Sequence, residues 1–192
     1  MQFRAMQYTI FGQNSRQGSY ILLINLDRAI KVAFGKFRKS EPLELQPSHY
    51  LYVGSALGSA KGRFPLASRL LRHASRSDSK PPHAIRSALL ELFMSWGYRA
   101  PASRGDKKLH WHIDFLLDRE EAELAHVFIF PGAERIEARL AATLAAMPET
   151  TPVADRLGAQ DAAAGTHLFR IDKLEPLLPC LEKAMPDLIR QG

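Results

Sequence analysis

Gly18-Ser19-Tyr20-Ile21-Leu22-Leu23-Ile24 and Tyr50-Leu51-Tyr52-Val53-Gly54 form two aromatic and glycine cassettes about thirty residues apart. Both read as strands. Residues 18–26 are apolar and bounded by Gly18 and Asp27, which predicts a buried strand. Residues 49–54 predict another, and the small residues Ser55, Gly58, Ser59 and Gly62 beyond Gly54 predict a flexible turn. Between the cassettes, Ile30 to Phe37 alternates with period two, the pattern of a hairpin partner for the first strand.

Downstream, Pro65 suits the first turn of a helix reaching about Ser75. Arg69, Arg72, His73 and Arg76 recur at i, i+3, i+4 and i+7, with Ala67, Leu70, Leu71 and Ala74 on the other side. This predicts an amphipathic helix with an open cationic face. A second helix is expected over 83–96, with Ile85, Leu89, Leu92, Phe93 and Trp96 as its apolar stripe, then a basic loop over 99–108. His110 to Leu117 and Ala125 to Phe130 read as strands, and 134–147 as a helix burying Ile136, Leu140, Leu144 and Met147. Residues 148–166 read as loop and Thr166 to Ile171 as a last strand; a final helix over 174–190 would be short or broken at Pro176, Pro179 and Pro186. Residues 1–17 lack periodicity apart from Tyr8 to Phe11 and read as a loose lead-in. The order of elements predicts an α+β fold, a mixed or antiparallel sheet flanked by helices. The expected organisation is an N-terminal extension over 1–17, a domain over 18–173 and a helical tail over 174–192.

The 192 residues suffice for one domain with a core, and 46% hydrophobic with 24% charged residues is an ordinary globular composition. No apolar run approaches the roughly 18 residues of a membrane span. The first residues carry no apolar leader and Cys180 is the single cysteine, so a cytoplasmic location without membrane partners is expected. The net charge of +6 is divided unevenly. Residues 1–110 hold 18 Lys and Arg against 6 Asp and Glu, whereas residues 111–192 hold 8 against 14. A basic front half, concentrated in Lys61, Arg63, Arg69, Arg72, Arg76 and Lys80, suits a polyanion such as nucleic acid. A solvated basic surface is the alternative.

Gly18-Ser19-Tyr20 with Tyr52-Val53-Gly54, followed by Arg69-x-x-x-His73, resembles the GIY-YIG nuclease superfamily. Adding Ser55-Ala56-Leu57-Gly58, Arg72-His73, Leu109-His110-Trp111-His112-Ile113-Asp114 and Thr166-His167-Leu168-Phe169 makes the chain resemble, more closely, a small branch of unknown function. The likeness runs from about Gly18 to Asp172. Three features depart from the pattern: Ser19 stands where the superfamily has an aliphatic residue, residues 77–107 read as a helical insertion, and Ala159 to Ala164 replaces a Cys-rich stretch of the branch.

The resemblance implies hydrolysis of DNA phosphodiesters with one Mg²⁺ or Mn²⁺, in DNA repair or processing. Tyr20 and Tyr52 are the candidates to relay or accept a proton, provided nearby cations lower their pKa; strand tyrosines in a core are the plain alternative. Arg69 would clamp the scissile phosphate, with Arg72 as its rival. His73 would orient the water or protonate the leaving oxygen. Glu137 would hold the metal, with Glu134 as the alternative. Lys61, Arg63, Arg72 and Arg76 would bind the nucleic-acid backbone.

On a strand, His110, His112 and Asp114 would project from one face at i, i+2 and i+4. They are therefore either an alternative metal set or a hydrogen-bonding scaffold beneath the site. His167 could join either, although a satisfied core histidine is the simpler expectation. Two further functions follow as alternatives: an inactive nucleic-acid-binding module, or a metalloenzyme built on His110, His112 and Asp114.

Overall fold

The computed structural model describes residues 7–58, 64–101, 107–158 and 166–189. Lys61, Arg63 and the Ala159 to Ala164 segment lie outside the described residues. The fold is α+β, built on a mixed six-stranded sheet. Its strands are β1 (Tyr8–Ile10), β2 (Gly18–Leu26), β5 (Ser48–Ala56), β6 (Ala122–Pro131), β7 (Thr150–Pro152) and β8 (Leu168–Ile171), in the spatial order β1-β6-β2-β5-β8-β7. Only β1, paired to β6, runs parallel to its neighbour; the other pairings are antiparallel.

The two cassettes lie side by side, with Tyr20 opposite Gly54 and Leu22 opposite Tyr52. Strand alternation then divides the molecule into two cores. Tyr20, Leu22, Ile24, Tyr50 and Tyr52 face one side. There they pack with α1 (Pro65–His73), α2 (Arg86–Ser95) and α3 (His112–Leu117). Ile21, Leu23, Leu51 and Val53 face the other side. Their partners come from α4 (Glu137–Ala145) and α5 (Leu177–Ile189). Helices on both faces explain why β2 reads as a continuous apolar run rather than an alternating one.

Several elements differ from expectation. Tyr8–Ile10, assigned to a loose lead-in, is the parallel edge strand. Ile30–Val32 does not pair with β2. As β3 it pairs with β4 (Leu43–Leu45) in a separate two-stranded sheet, and Phe37–Ser40 in the loop between them forms a tight turn with Arg38 and Lys39 in left-handed conformation. Its period-two pattern was real, but β2 already has β5 and β6 on its two edges. Thr150–Pro152, expected as loop, is a strand on the far edge. Residues 177–189 form one helix: Pro176 precedes it, Pro179 sits in the first turn, where backbone N–H groups have no partner within the helix, and Pro186 is held inside its last turns.

The largest revision concerns His110 to Leu117, expected as a strand. It is a helix from His112 whose buried apolar residues, Ile113, Leu116 and Leu117, recur at i, i+3 and i+4. Asp114, in its first turn, accepts from the Trp111 backbone N–H at 3.1 Å and caps the helix start.

Candidate active site

Tyr20 and Tyr52 stand on adjacent strands of the face covered by α1, and Arg69 projects from α1 itself. Glu137 is the first residue of α4, on the opposite face, and reaches the end of β5 through Ser55. All four line one cavity of about 370 Å³, together with Trp111, Arg135 and His167. Residues 20, 52, 69 and 137 are thus brought to a single hollow from two strands and two helices.

Glycines make room at this point. A Cβ on Gly54 would stand 2.6 Å from the Tyr20 ring, and one on Gly18 would stand 2.4 Å from the Phe130 carbonyl oxygen of the neighbouring strand. Each cassette therefore needs its glycine for close approach rather than for an unusual turn.

The Glu137 carboxylate accepts a hydrogen bond from the Ser55 hydroxyl through Oε2. His167 Nδ1 lies 3.1 Å from Oε1, at ion-pair distance but without hydrogen-bond alignment. Burial pushes this carboxyl up, but His167 and Ser55 outweigh it and hold it below the ordinary glutamate value. It is an ionised oxygen donor beside a polar hollow. His167 is thus a wall of the hollow rather than the core histidine expected. The alternative acid, Glu134, is engaged by Arg139 instead.

Arg69 is half-buried, and its guanidinium carbon lies 3.9 Å from the centre of the Trp111 ring. The stacking fixes the plane of the guanidinium while leaving its edge N–H groups for an anion.

His73 lies elsewhere than expected. It is fully buried behind Tyr20 and does not line the hollow. Its Nε2 is 2.9 Å from the Tyr20 hydroxyl and its Nδ1 is 3.2 Å from Asp114 Oδ1. Burial lowers its pKa to about 4, against the opposing pull of Asp114. The ring is therefore neutral at physiological pH. With Nδ1–H directed at the carboxylate, the Nε2 lone pair accepts from Tyr20.

Asp114 has no exposed surface. Its Oδ2 accepts from Arg72 at 2.9 Å and from the His110 and Trp111 backbone N–H groups, each at 3.1 Å. Burial would raise its carboxyl, but His73, Lys107 and Arg72 overcome that and hold it well below the usual carboxylate range.

Two expectations are corrected here. The tyrosine hydroxyls are not made acidic by neighbouring cations. Burial raises both, and Arg69 offsets this only in part, so both phenols stay protonated. The cationic face of the α1 helix is not open either. Arg72 pairs with Asp114, and Arg76, beyond the helix end, pairs with Glu123 at 3.0 Å while its side chain is 5% exposed. The opposing acids lie more than forty residues downstream, beyond the reach of a helical-wheel argument.

His110, His112 and Asp114 do not converge, because the segment is not a strand. Asp114 turns inward, the His110 ring packs edge-on against Trp111, and His112 Nδ1 accepts from the Gly158 backbone N–H at 3.1 Å. Among the described residues, no group of three or more His, Cys, Asp or Glu side chains is arranged to hold a metal ion. Asp114 does serve as a hydrogen-bonding scaffold beneath Tyr20.

Ser55 and Trp111 also belong to the site, beyond the residues expected there. Ser55 directly follows the Gly54 cassette, which was its one signal. Trp111 lies inside the quoted His110 to Asp114 string, but its stacking partner belongs to another helix.

Neither the curated proteins nor the solved structures yield a significant match to this chain. The model of the family described as "Domain of unknown function DUF123" matches residues 19–190, which hold both cassettes except Gly18, with Arg69, the Asp114 scaffold and Glu137. The chain belongs to that DUF123 family.

Proposed function

We propose that the protein is a Mg²⁺- or Mn²⁺-dependent endonuclease of GIY-YIG type that hydrolyses DNA phosphodiesters. The observation carrying this reading is the meeting of Tyr20, Tyr52, Arg69 and Glu137 around one hollow of about 370 Å³. The cassette resemblance supports it from the sequence side.

The donor set suits a small hard cation. Mg²⁺ is commonly held by one or two carboxylates while water and substrate oxygens complete its shell. Glu137, ionised and flanked by the Ser55 hydroxyl, is the residue that would hold it. Such an ion supplies Lewis-acid polarisation of a phosphoryl oxygen.

The chain's own groups supply the rest. Arg69, its plane fixed on Trp111, receives the scissile phosphate and offsets charge growing on its oxygens. Tyr52, protonated, offers its O–H to the same phosphate. Tyr20 takes a proton from the attacking water on its oxygen while passing its own to His73 Nε2. Asp114 holds the His73 ring in the accepting tautomer and stabilises the imidazolium that results. His73 is thus a positioning and proton-storing residue acting through Tyr20, not one that touches substrate.

The test is nicking of supercoiled plasmid and cleavage of branched DNA with Mg²⁺ or Mn²⁺. Tyr20→Phe, Arg69→Ala and Glu137→Gln should each lower the cleavage rate by about 10²-fold or more. Unchanged cleavage in all three variants overturns the assignment. Salt-sensitive binding with no cleavage under either metal would reduce the protein to a binding module.

A further inference from the structure

A larger cavity of about 880 Å³ adjoins the first, and Trp111 and His112 form part of the wall of both. That volume falls within the roughly 300–1,000 Å³ typical of organic-ligand sites. Its lining combines two chemistries. Phe37 and Trp111 supply flat apolar surface, and Trp111 is one of two large hydrophobic residues exposed among the described residues, at 36%. Lys36, Arg38 and Arg156, all exposed, supply positive charge against the single carboxylate of Asp155. These three cations form no salt bridge among the described residues, unlike Arg72, Arg76, Lys80 and Lys107.

The aromatic surfaces are held in place. Phe37 meets the His112 ring edge-on at 5.7 Å, and Arg69, which lines only the smaller hollow, covers one face of Trp111. Backbone strain gathers at the same place. Of six described non-glycine residues with positive φ, Arg38, Lys39, Ser40 and Arg156 belong to the two loops bordering this cavity. Residues bearing a Cβ adopt that conformation at a cost, and such strain concentrates at binding sites.

A cationic groove with fixed aromatic platforms suits a chain that alternates anionic phosphates with flat bases. Paired bases in a duplex have their faces stacked on one another and do not offer them to a side chain. We propose that this cavity binds an unpaired, single-stranded stretch of the nucleic acid whose scissile phosphate enters the smaller hollow. Bases stack on Trp111 and Phe37, and backbone phosphates lie against Lys36, Arg38 and Arg156. The continuity of the two cavities rests on the nuclease reading; the aromatic and basic lining does not.

The test is fluorescence anisotropy in EDTA, which reads binding without cleavage. The three probes are labelled oligothymidylate, an abasic oligomer of the same length, and a blunt duplex. The expected result is that oligothymidylate binds about tenfold tighter than the abasic strand. Phe37→Ala and Trp111→Ala should each erase most of that margin, and Phe37→Tyr, which keeps a ring, should restore it. Lys36→Ala and Arg38→Ala should weaken all three probes together. Equal binding of the abasic and base-bearing strands overturns the proposal, as does a margin that survives in Phe37→Ala and Trp111→Ala. Cleavage without the margin removes the groove alone, and the margin without cleavage removes the nuclease alone.

Discussion

His73 and Asp114 form a buried pair whose charge state is set by competition between desolvation and contact. Burial holds the imidazole near 4, while Asp114 pulls the other way at 3.2 Å. In the unfolded chain the same ring titrates near its ordinary 6.5. Between these values the unfolded state binds the proton and the folded state does not, so acidification favours unfolding. The contribution is complete above about pH 6.5 and falls as the pH drops toward 4, below which this ring adds no further slope. Urea denaturation midpoints should therefore decrease from pH 7 to pH 4.5 in the wild type. The decrease should be shallower in His73→Gln; an equal slope in both proteins would mean that another group carries the effect. Tyr20, Tyr52 and Arg69 were readable because they sit in the quoted motifs, and Glu137 through the resemblance. The protonation states were not, since they follow from burial and from partners forty residues away.

At the scale of elements, adjacency of β2 and β5 decides where the phenols point. The register that sets Tyr20 opposite Gly54 leaves space for the tyrosine ring only because Gly54 has no side chain. Gly54→Ala should drive the ring aside, lengthen its contact with His73, and cost about 1–3 kcal/mol through overpacking. Thermal denaturation reads the stability loss, and an ultraviolet tyrosine difference spectrum reads the changed environment. A variant as stable as the wild type, with an unchanged spectrum, would mean that the strands separate without penalty. The two cassette strands were legible as apolar runs bounded by glycine. The strand expected at His110 to Leu117 was not there. His110, His112 and Asp114 alternate with a period of two, whereas Ile113, Leu116 and Leu117 carry the helical period that tertiary packing enforces. The β3–β4 pair was missed for a related reason: alternation shows that a segment is a strand, not which strand it joins.

At the scale of the whole molecule, the charge asymmetry along the chain changes meaning once the chain is folded. The basic front half and the acidic back half meet in pairs: Arg72 with Asp114, Arg76 with Glu123, Lys80 with Asp118 at 2.7 Å. Much of the apparent surplus around residues 69–80 is therefore internal neutralisation that joins α1 and the turn after it to α3 and β6. Cations without an ion pair among the described residues include Arg69 in the smaller hollow and Lys36, Arg38 and Arg156 around the larger cavity. This division predicts how binding should respond to salt. Each phosphate contact to single-stranded nucleic acid contributes about 0.7 to the slope of log affinity against log salt concentration. Arg38→Ala should lower the oligothymidylate slope by about that amount with little loss of thermal stability. Arg76→Ala should leave the slope intact and instead lower stability, because the Ala122 and Pro81 carbonyls lose the guanidinium and Glu123 loses its ion pair. Titrations between 50 and 200 mM salt, roughly the range over which counterion release is prominent, separate the two. If Arg76→Ala flattens the slope as much as Arg38→Ala does, the helix end contacts nucleic acid after all and the assignment of free and neutralised cations fails.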